Sequence, residues 1–238
     1  SDNKYFKLIS FTGKLTSNID VKPKSSFKTT SVLNSGGIWY KLGILTDGVY
    51  KIDYSSLLNY GIITGDIQSS DINIFGNGKG LLNSVNGNNR YDDLILNNIF
   101  INDGGDGVFS LGDYILFYGL GPHRNNYTQS GYNHTYHIYS DSSYYFINIG
   151  GSHLPARLTN VNSSNLPSTN VVNTFTSCKF YEQDRINLLK SGSSWYGDIF
   201  DVQATFSYSF DFPNLTSDSA FIKAVLIGKS PINSTTFS

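Results

Sequence analysis

The sequence predicts a mainly β fold: a mixed, mostly antiparallel β domain followed by the start of a second β-sandwich, with few short helices. Aromatic residues make up 15% of the chain, with 17 Tyr and 16 Phe, and such residues favour strands. Short apolar segments recur between turns rich in Gly, Asn and Asp, which is typical of antiparallel sandwiches and barrels. The aromatic content is also too high for a disordered chain.

Changes in composition along the chain divide it into regions. The first residues are polar and basic, the middle carries most of the strand-like segments, and a stretch rich in Asn, Ser and Thr separates it from a second group of strands. We expect an N-terminal arm at residues 1–31, a β-rich domain at 32–150, a connection at 151–172 and a second unit at 173–238.

The β-rich domain opens with its clearest local signals. Residues 38–44 and 49–52 are apolar and aromatic, and Asp47-Gly48 between them supplies the positive φ angles of a tight turn. This pattern predicts a hairpin. Asp53 or Ser55 is expected to cap one short helix at residues 56–60, which Gly61 ends.

Later strands of this domain follow the same pattern. A glycine cluster at residues 76–80 follows one of them but matches neither dinucleotide-binding nor phosphate-binding glycine motifs, so we interpret it as a turn. The further strands are expected at residues 72–75, 94–101, 114–118, 136–139 and 144–149.

The second unit combines a predicted helix with predicted strands. Residues 181–190 carry acids early and a lysine late, which favours a helix. Residues 202–212 alternate with period two, and further strands are expected at 221–227 and from 235. Three strands cannot bury an apolar face without a covering layer. We therefore expect a β-sandwich domain that continues beyond Ser238.

Charge and cysteine content exclude several classes of protein. The 17 basic and 18 acidic residues give a net charge of −1, so no nucleic-acid partner is expected. No apolar run approaches the roughly 20 residues of a transmembrane helix, so no transmembrane segment is expected. The one cysteine, Cys178, excludes an internal disulfide and a cysteine-based zinc site.

The candidate catalytic and metal-binding residues are few. Nothing around Cys178 favours a thiolate, so we interpret it as structural rather than as a nucleophile. His134 and His137 match no known metal-binding spacing and would point to opposite faces of a strand. We expect no catalytic residue and no cofactor.

Residues 102–113 partly match a calcium-binding loop. Asp103, Asp106 and Asp113 are the calcium candidates, but Gly104 stands where such a loop needs a ligand and Asp113 where it needs a bidentate Glu. A tight turn with carboxylates capping backbone amides explains the same residues. The turn is favoured, and calcium stays open.

The aromatic clusters at residues 144–146 and 195–196 have two interpretations. Alternation in a β-sandwich sends half of such residues into the core. Exposed, they would form a platform for sugar rings. The second interpretation leads to an alternative function, a free-standing carbohydrate-binding or adhesion β module.

Several segments, taken in order, resemble one family. The resemblance extends over about residues 32–238, and its matching segments are residues 37–42, 48–52, 74–80, 90–94, 106–109, 112–119, 181–182, 188–192 and 195–197. Together they resemble the N-terminal region of the gingipain-like cysteine peptidases that act as sortases of the type IX secretion system in Bacteroidota.

The resemblance implies a role for the intact protein. It would lie at the outer membrane or cell surface after signal-peptide removal, cut C-terminal targeting domains from secreted cargo and attach the cargo to the cell surface. The catalytic Cys and His of the family belong to a later peptidase domain, so Cys178 is not carried over and this chain is expected to be inactive alone. Its expected role is accessory, presenting cargo C-terminal domains or docking to outer-membrane secretion partners.

Overall fold

A computed structural model describes most of the chain. The described residues are 6–7, 11–15, 31–78, 80–82, 91–128, 131–161, 170–188, 190, 194–201 and 203–228. They divide into two compact units: the first contains Ser1–Val171 and Glu182–Asp198, and the second Val172–Tyr181 and Ile199–Ser238.

The first unit is built almost entirely of strands. One short helix, α1 (Tyr54–Asn59), and two 3-10 turns (Val32–Asn34 and Ser69–Asp71) accompany them. The strands are β1 (Phe6–Lys7), β2 (Phe11–Leu15), β3 (Ile38–Ile44), β4 (Gly48–Asp53), β5 (Ile67–Gln68), β6 (Ile72–Gly76), β7 (Leu96–Asn97), β8 (Phe100–Asn102), β9 (Val108–Phe109), β10 (Tyr114–Gly119), β11 (Arg124–Thr128), β12 (Gly131–Thr135) and β13 (Ser143–Ile149). This confirms the prediction of a mainly β fold with few short helices.

The strands form two main sheets. The first, sheet A, has the order β1-β4-β10-β8, and the second, sheet B, has the order β2-β3-β13-β6-β7. All described pairs in both sheets are antiparallel except the parallel pair β1–β4. Strands β5 and β9 pair separately, as do β11 and β12. The arm predicted at residues 1–31 therefore contributes one strand to each main sheet, while residues 16–30 lie outside the described residues.

The predicted hairpin at residues 38–52 is wrong, although both of its strands exist. Strand β3 pairs with β2 and β13 in sheet B, whereas β4 pairs with β1 and β10 in sheet A. The Asp47-Gly48 turn thus carries the chain from one sheet to the other. Long-range partners with large apolar faces replace the local pairing that the turn residues favour.

The apolar faces of the two sheets form one core. Strand β4 contributes Tyr50 and β10 contributes Phe117, whose rings stack at 5.7 Å. Tyr145 on β13 of sheet B packs 5.5 Å from Phe117, which joins the two sheets. Fully buried aliphatic side chains surround these rings: Leu42, Ile44, Ile52, Ile72, Ile74, Ile115 and Ile147.

The glycine cluster at residues 76–80 makes room for Tyr145. A Cβ atom on Gly76 would lie 2.5 Å from the Tyr145 ring, and one on Gly78 would lie 2.1 Å from its hydroxyl oxygen. That oxygen accepts a hydrogen bond of 2.8 Å from the backbone N–H of Leu120. Close approach of a core ring explains these two glycines better than a turn alone.

Helix α1 closes one end of the core. It begins two residues earlier than predicted, with Asp53 at its N-cap position but no hydrogen bond from that side chain. Leu57 is fully buried in the core. Gly61, at φ +66°, follows the helix, and its N–H donates to the carbonyl of Leu58. The predicted helix and its glycine end are confirmed.

Residues 181–190 are not helical where the structure describes them. Ile186 instead forms an antiparallel bridge with Tyr196, with N–H to O distances of 2.9 and 2.8 Å. The helix prediction is therefore wrong. Charges placed favourably for the helix dipole contribute only about 0.3–1 kcal/mol each, so they are a weak signal for a helix by themselves.

The second unit contains ring contacts but no assigned strand among its described residues. Tyr181 lies 4.7 Å from Tyr208, and Phe200 lies 5.0 Å from Phe206, between ring centroids. Residues 203–212 and 221–227 are mostly exposed and form no ladder, contrary to the strands predicted there. A period-two pattern predicts a strand only where a neighbouring strand is available to pair with it. The continuation of this unit beyond Ser238 stays a prediction.

No helix in the described part of the chain has the length and apolar character needed to cross a bilayer.

We expect Phe117→Ala to lower the free energy of unfolding by about 3–5 kcal/mol, because it removes a ring that is 1% exposed and packs against both sheets. Tyr118→Ala is the matched control, since Tyr118 is 57% exposed on the opposite face of β10 and its loss should cost under about 1 kcal/mol. Chemical denaturation measures both. Equal effects would contradict the assigned faces of β10.

Candidate functional site

Strands β11 and β12 form a two-stranded ribbon outside both main sheets. Their register runs from Arg124 opposite Thr135 to Thr128 opposite Gly131. Every residue of β11 is exposed, and near the turn the rings of Tyr127 and Tyr132 lie 5.0 Å apart. A polar ribbon with an aromatic pair near its tip is thus presented to solvent.

A groove lies beyond the end of the ribbon. One wall is the loop that follows β12, and the other comes from residues 183–185 and Trp195. Trp195 and Tyr139 are its exposed aromatic side chains, at 40% and 76% exposure. The full lining is Tyr136, His137, Ile138, Tyr139, Ser140, Asp141, Gln183, Asp184, Arg185 and Trp195.

Two backbone hydrogen bonds and one ion pair stabilise the second wall. The Arg185 N–H and the Ile186 N–H both donate to the carbonyl of Tyr196. The Arg185 guanidinium also pairs with the Asp198 carboxylate, whose side chain is only 4% exposed. Residues 185–186 therefore lie beside residues 194–198, the segment that carries Trp195.

Histidines anchor the ribbon to the groove. The ring of His123 stacks on Tyr136 at 4.3 Å, and its Nδ1 accepts a hydrogen bond of 3.1 Å from the N–H of His137. His134 Nδ1 lies 2.7 Å from Asn125 Oδ1 across the ribbon. His134 Nε2 lies 3.8 Å from the carboxylate of Glu182. No local sequence pattern predicts this cluster, because its members meet only through the ribbon register and the return of the chain at residue 182.

The environment of the cluster disfavours charged imidazoles. Burial lowers the pKa of His123, and nearby His137 lowers it further, while Asp141 and Asp184 oppose the shift. Burial also lowers the pKa of His134, and His123 adds to that effect. Both rings are therefore neutral near pH 7.

The carboxylates in the groove and the neighbouring Glu182 show the opposite effect. Burial raises the pKa of Asp184, with Asp141 adding to it and His123 opposing it. Burial likewise raises the pKa of Glu182, with Asp184 adding to it. Asp141 accepts a hydrogen bond of 3.1 Å from the Tyr136 hydroxyl. The groove thus gathers acids that repel one another beside exposed aromatic rings.

Within the described residues, no group of three or more His, Cys, Asp or Glu side chains is arranged to hold a metal ion. His134 and His137, whose spacing predicted no metal site, contribute to the ribbon anchor instead.

The calcium candidates lie in the turns between β8 and β10. Asp103 Oδ1 accepts the Gly105 N–H at 3.1 Å, Asp106 Oδ1 accepts the Val108 N–H at 2.8 Å, and Asp113 Oδ2 accepts the Ser110 N–H at 2.7 Å. The Ser69 hydroxyl, followed by backbone amides and Arg157, holds the pKa of Asp103 below its ordinary value despite burial. All three carboxylates cap local amides, as the turn interpretation predicts.

Cys178 lies in the second unit and is exposed. Its Sγ lies 3.8 Å from the carbonyl oxygen of Lys179. This contact is with the adjacent residue. The interpretation of Cys178 as a structural cysteine stays a prediction.

We expect the free energy of unfolding to fall as the pH drops from about 7.5 to about 6. The reason is that folding lowers the pKa of His123 and of His134 below the ordinary histidine value of 6.5. The unfolded chain then binds more protons. His134→Gln should make this fall shallower, as measured by denaturation at several pH values.

The control for that experiment is Asn126→Ser, an exposed and non-titrating position on β11. The raised pKa values of Glu182 and Asp184 make the folded state bind more protons, so these two groups raise the free energy of unfolding as the pH falls. The test therefore compares the slope of unfolding free energy against pH between variants. An unchanged slope in His134→Gln would show that His134 is not held neutral by burial.

No protein-family model matches the sequence. No curated protein matches it either. Among solved structures, the chain is similar to the crystal structure of dimeric latent PorU from Porphyromonas gingivalis, with 22% sequence identity and a TM-score of 0.43. The match covers 60% of this chain and 12% of the PorU chain, so the chain spans only a small part of that protein.

Proposed function

We propose that this chain is an accessory docking region of a type IX secretion system sortase at the bacterial outer membrane or cell surface. In this role it presents cargo C-terminal domains or binds outer-membrane partners, while a later domain performs the peptidase and attachment chemistry. The ordered set of segments over about residues 32–238 that resembles the gingipain-like sortases supports the assignment to that system.

The exposed ribbon β11–β12 is the observation that carries the docking role. An isolated two-stranded ribbon is at best marginally stable in water, so this one depends on its anchor at His123 and His134. Its solvent-exposed strand can accept a further strand from a partner, and tyrosines are enriched in protein interfaces. Tyr127, at 71% exposure, and its neighbour Tyr132 provide such a surface.

The groove extends this surface with charge. The negative charges of Asp141 and Asp184 repel each other, so the groove favours a bound cation. A lysine or arginine of a protein partner would relieve that repulsion while lying against Trp195 or Tyr139. The proposed partner surface is therefore polypeptide with basic side chains.

Photo-crosslinking in cells of the source bacterium tests the docking role. With p-benzoylphenylalanine in place of Tyr127 in the full-length protein, we expect adducts with cargo C-terminal domains or outer-membrane secretion proteins, identified by mass spectrometry. Leu111, 78% exposed on the β9–β10 turn, is the matched control position and should yield none of these adducts.

Two results would contradict this proposal. One is an adduct pattern at position 127 that equals the pattern at position 111. The other is cleavage of a cargo C-terminal-domain substrate by the isolated chain that disappears in Cys178→Ala, because the chain would then carry its own peptidase activity.

A second candidate function, a carbohydrate-binding or adhesion module, is favoured by one observation. Trp195 is 40% exposed in a groove that also offers the amide of Gln183 and the carboxylate of Asp184. An aromatic ring beside planar polar groups is the arrangement that stacks on and hydrogen-bonds to a sugar ring.

A glycan array tests this second candidate. If the groove binds sugars, Trp195→Ala should weaken binding about two- to tenfold, because stacking on an aromatic ring contributes about 0.5–1.5 kcal/mol. Tyr60→Ala is the control, since Tyr60 is 55% exposed but follows α1 rather than lining the groove. An array without any hit removes the candidate.

A further inference from the structure

The face of sheet B that points away from the core carries buried polar side chains. Trp39 on β3 and Asn73 on β6 flank Asn148 on β13, which is in register with both. Their exposures are 5%, 1% and 0%. We call these residues the Trp39–Asn148–Asn73 row. Burying such groups is costly unless each polar atom has a partner.

The indole of Trp39 packs against a ring from β6. Its ring is 5.0 Å from the ring of Phe75 on β6, and β13 separates β3 from β6. Neighbouring strands are about 4.8 Å apart. The indole and the Phe75 ring therefore meet above β13, between the strands that carry Trp39 and Asn73.

The two asparagine amides are oriented by loops that cover the row. Asn148 Nδ2 donates to the carbonyl of Gly36 at 3.1 Å, and Asn73 Nδ2 donates to the carbonyl of His153 at 3.4 Å. These bonds leave the amide oxygens to be satisfied. Among the described residues, Trp39 Nε1, Asn73 Oδ1 and Asn148 Oδ1 are buried without a hydrogen-bond partner.

We propose that the Trp39–Asn148–Asn73 row binds an ordered internal water molecule. One N–H donor and two carbonyl acceptors match a water, which accepts from Trp39 Nε1 and donates its two hydrogens to the oxygens of Asn73 and Asn148. More than nine-tenths of buried polar groups in native proteins have a partner, so three neighbouring exceptions mark a site.

The covering loops lie close against the Asn148 amide. A Cβ atom on Gly151 would lie 2.0 Å from Asn148 Oδ1, and one on Gly37 would lie 2.9 Å from Asn148 Nδ2. The glycine backbones thus lie directly against the Asn148 amide, where an added methyl group would not fit. A bridging water would tie these loops to the sheet.

Nuclear magnetic resonance of the whole 15N-labelled chain tests the proposal. The chain has 2 Trp, so it gives two indole N–H signals, and Trp39→Phe and Trp195→Phe assign them. We expect a direct dipolar cross-peak between water and the Trp39 indole hydrogen, with opposite signs in laboratory-frame and rotating-frame spectra. The half-exposed Trp195 serves as the solvent-contact control.

Asn73→Leu and Asn148→Leu each remove one acceptor, and either should weaken the Trp39 cross-peak at least about twofold. A wild-type spectrum without this cross-peak overturns the proposal, and so does a cross-peak that is unchanged in both folded variants. If a variant does not fold, the wild-type spectrum alone decides.

Discussion

The packing of Tyr145 against Phe117 is the contact on which the β domain depends. Tyr145 belongs to the central strand of sheet B and Phe117 to sheet A, so their rings join two layers whose strands otherwise bond only within each sheet. Close packing makes this contact demanding, because Gly76 and Gly78 leave space for the Tyr145 ring and no more. The turns, helix α1 and the ribbon are arranged around this core.

The sequence predicted what short-range chemistry decides. The strand-forming residues of the first unit and the Gly61 helix end act over a few residues, and the structure confirms them. Asp47-Gly48 does not form the predicted hairpin turn, since neither residue has a positive φ. The hairpin and the helix at residues 181–190 were wrong for a common reason. In both cases a segment outside the predicted element outweighed the local preference: distant strands for the hairpin, and Tyr196, ten residues on, for the helix. Periodicity carries no information about such partners.

The candidate site was less predictable than the fold. Trp195 and the histidines were visible as residue types, but the groove needs the ribbon, the loop after β12 and the returning segment at residue 182 to meet. The structure also explains opposite pKa shifts in neighbouring groups. Burial disfavours charge on His134 and on Asp184 alike, so it lowers the pKa of the base and raises that of the acid.

The position of β13 has a consequence for how the protein is made. This strand is central in sheet B yet last in the chain order of that sheet, and Asn148 bonds to Gly36 across 112 residues. Contacts of such long sequence separation form slowly, because a large loop must close before they contribute. While the chain emerges from the ribosome, the edges of β3 and β6 that β13 will cover remain unpaired. Newly made protein therefore needs protection from aggregation until residue 149 has been synthesised.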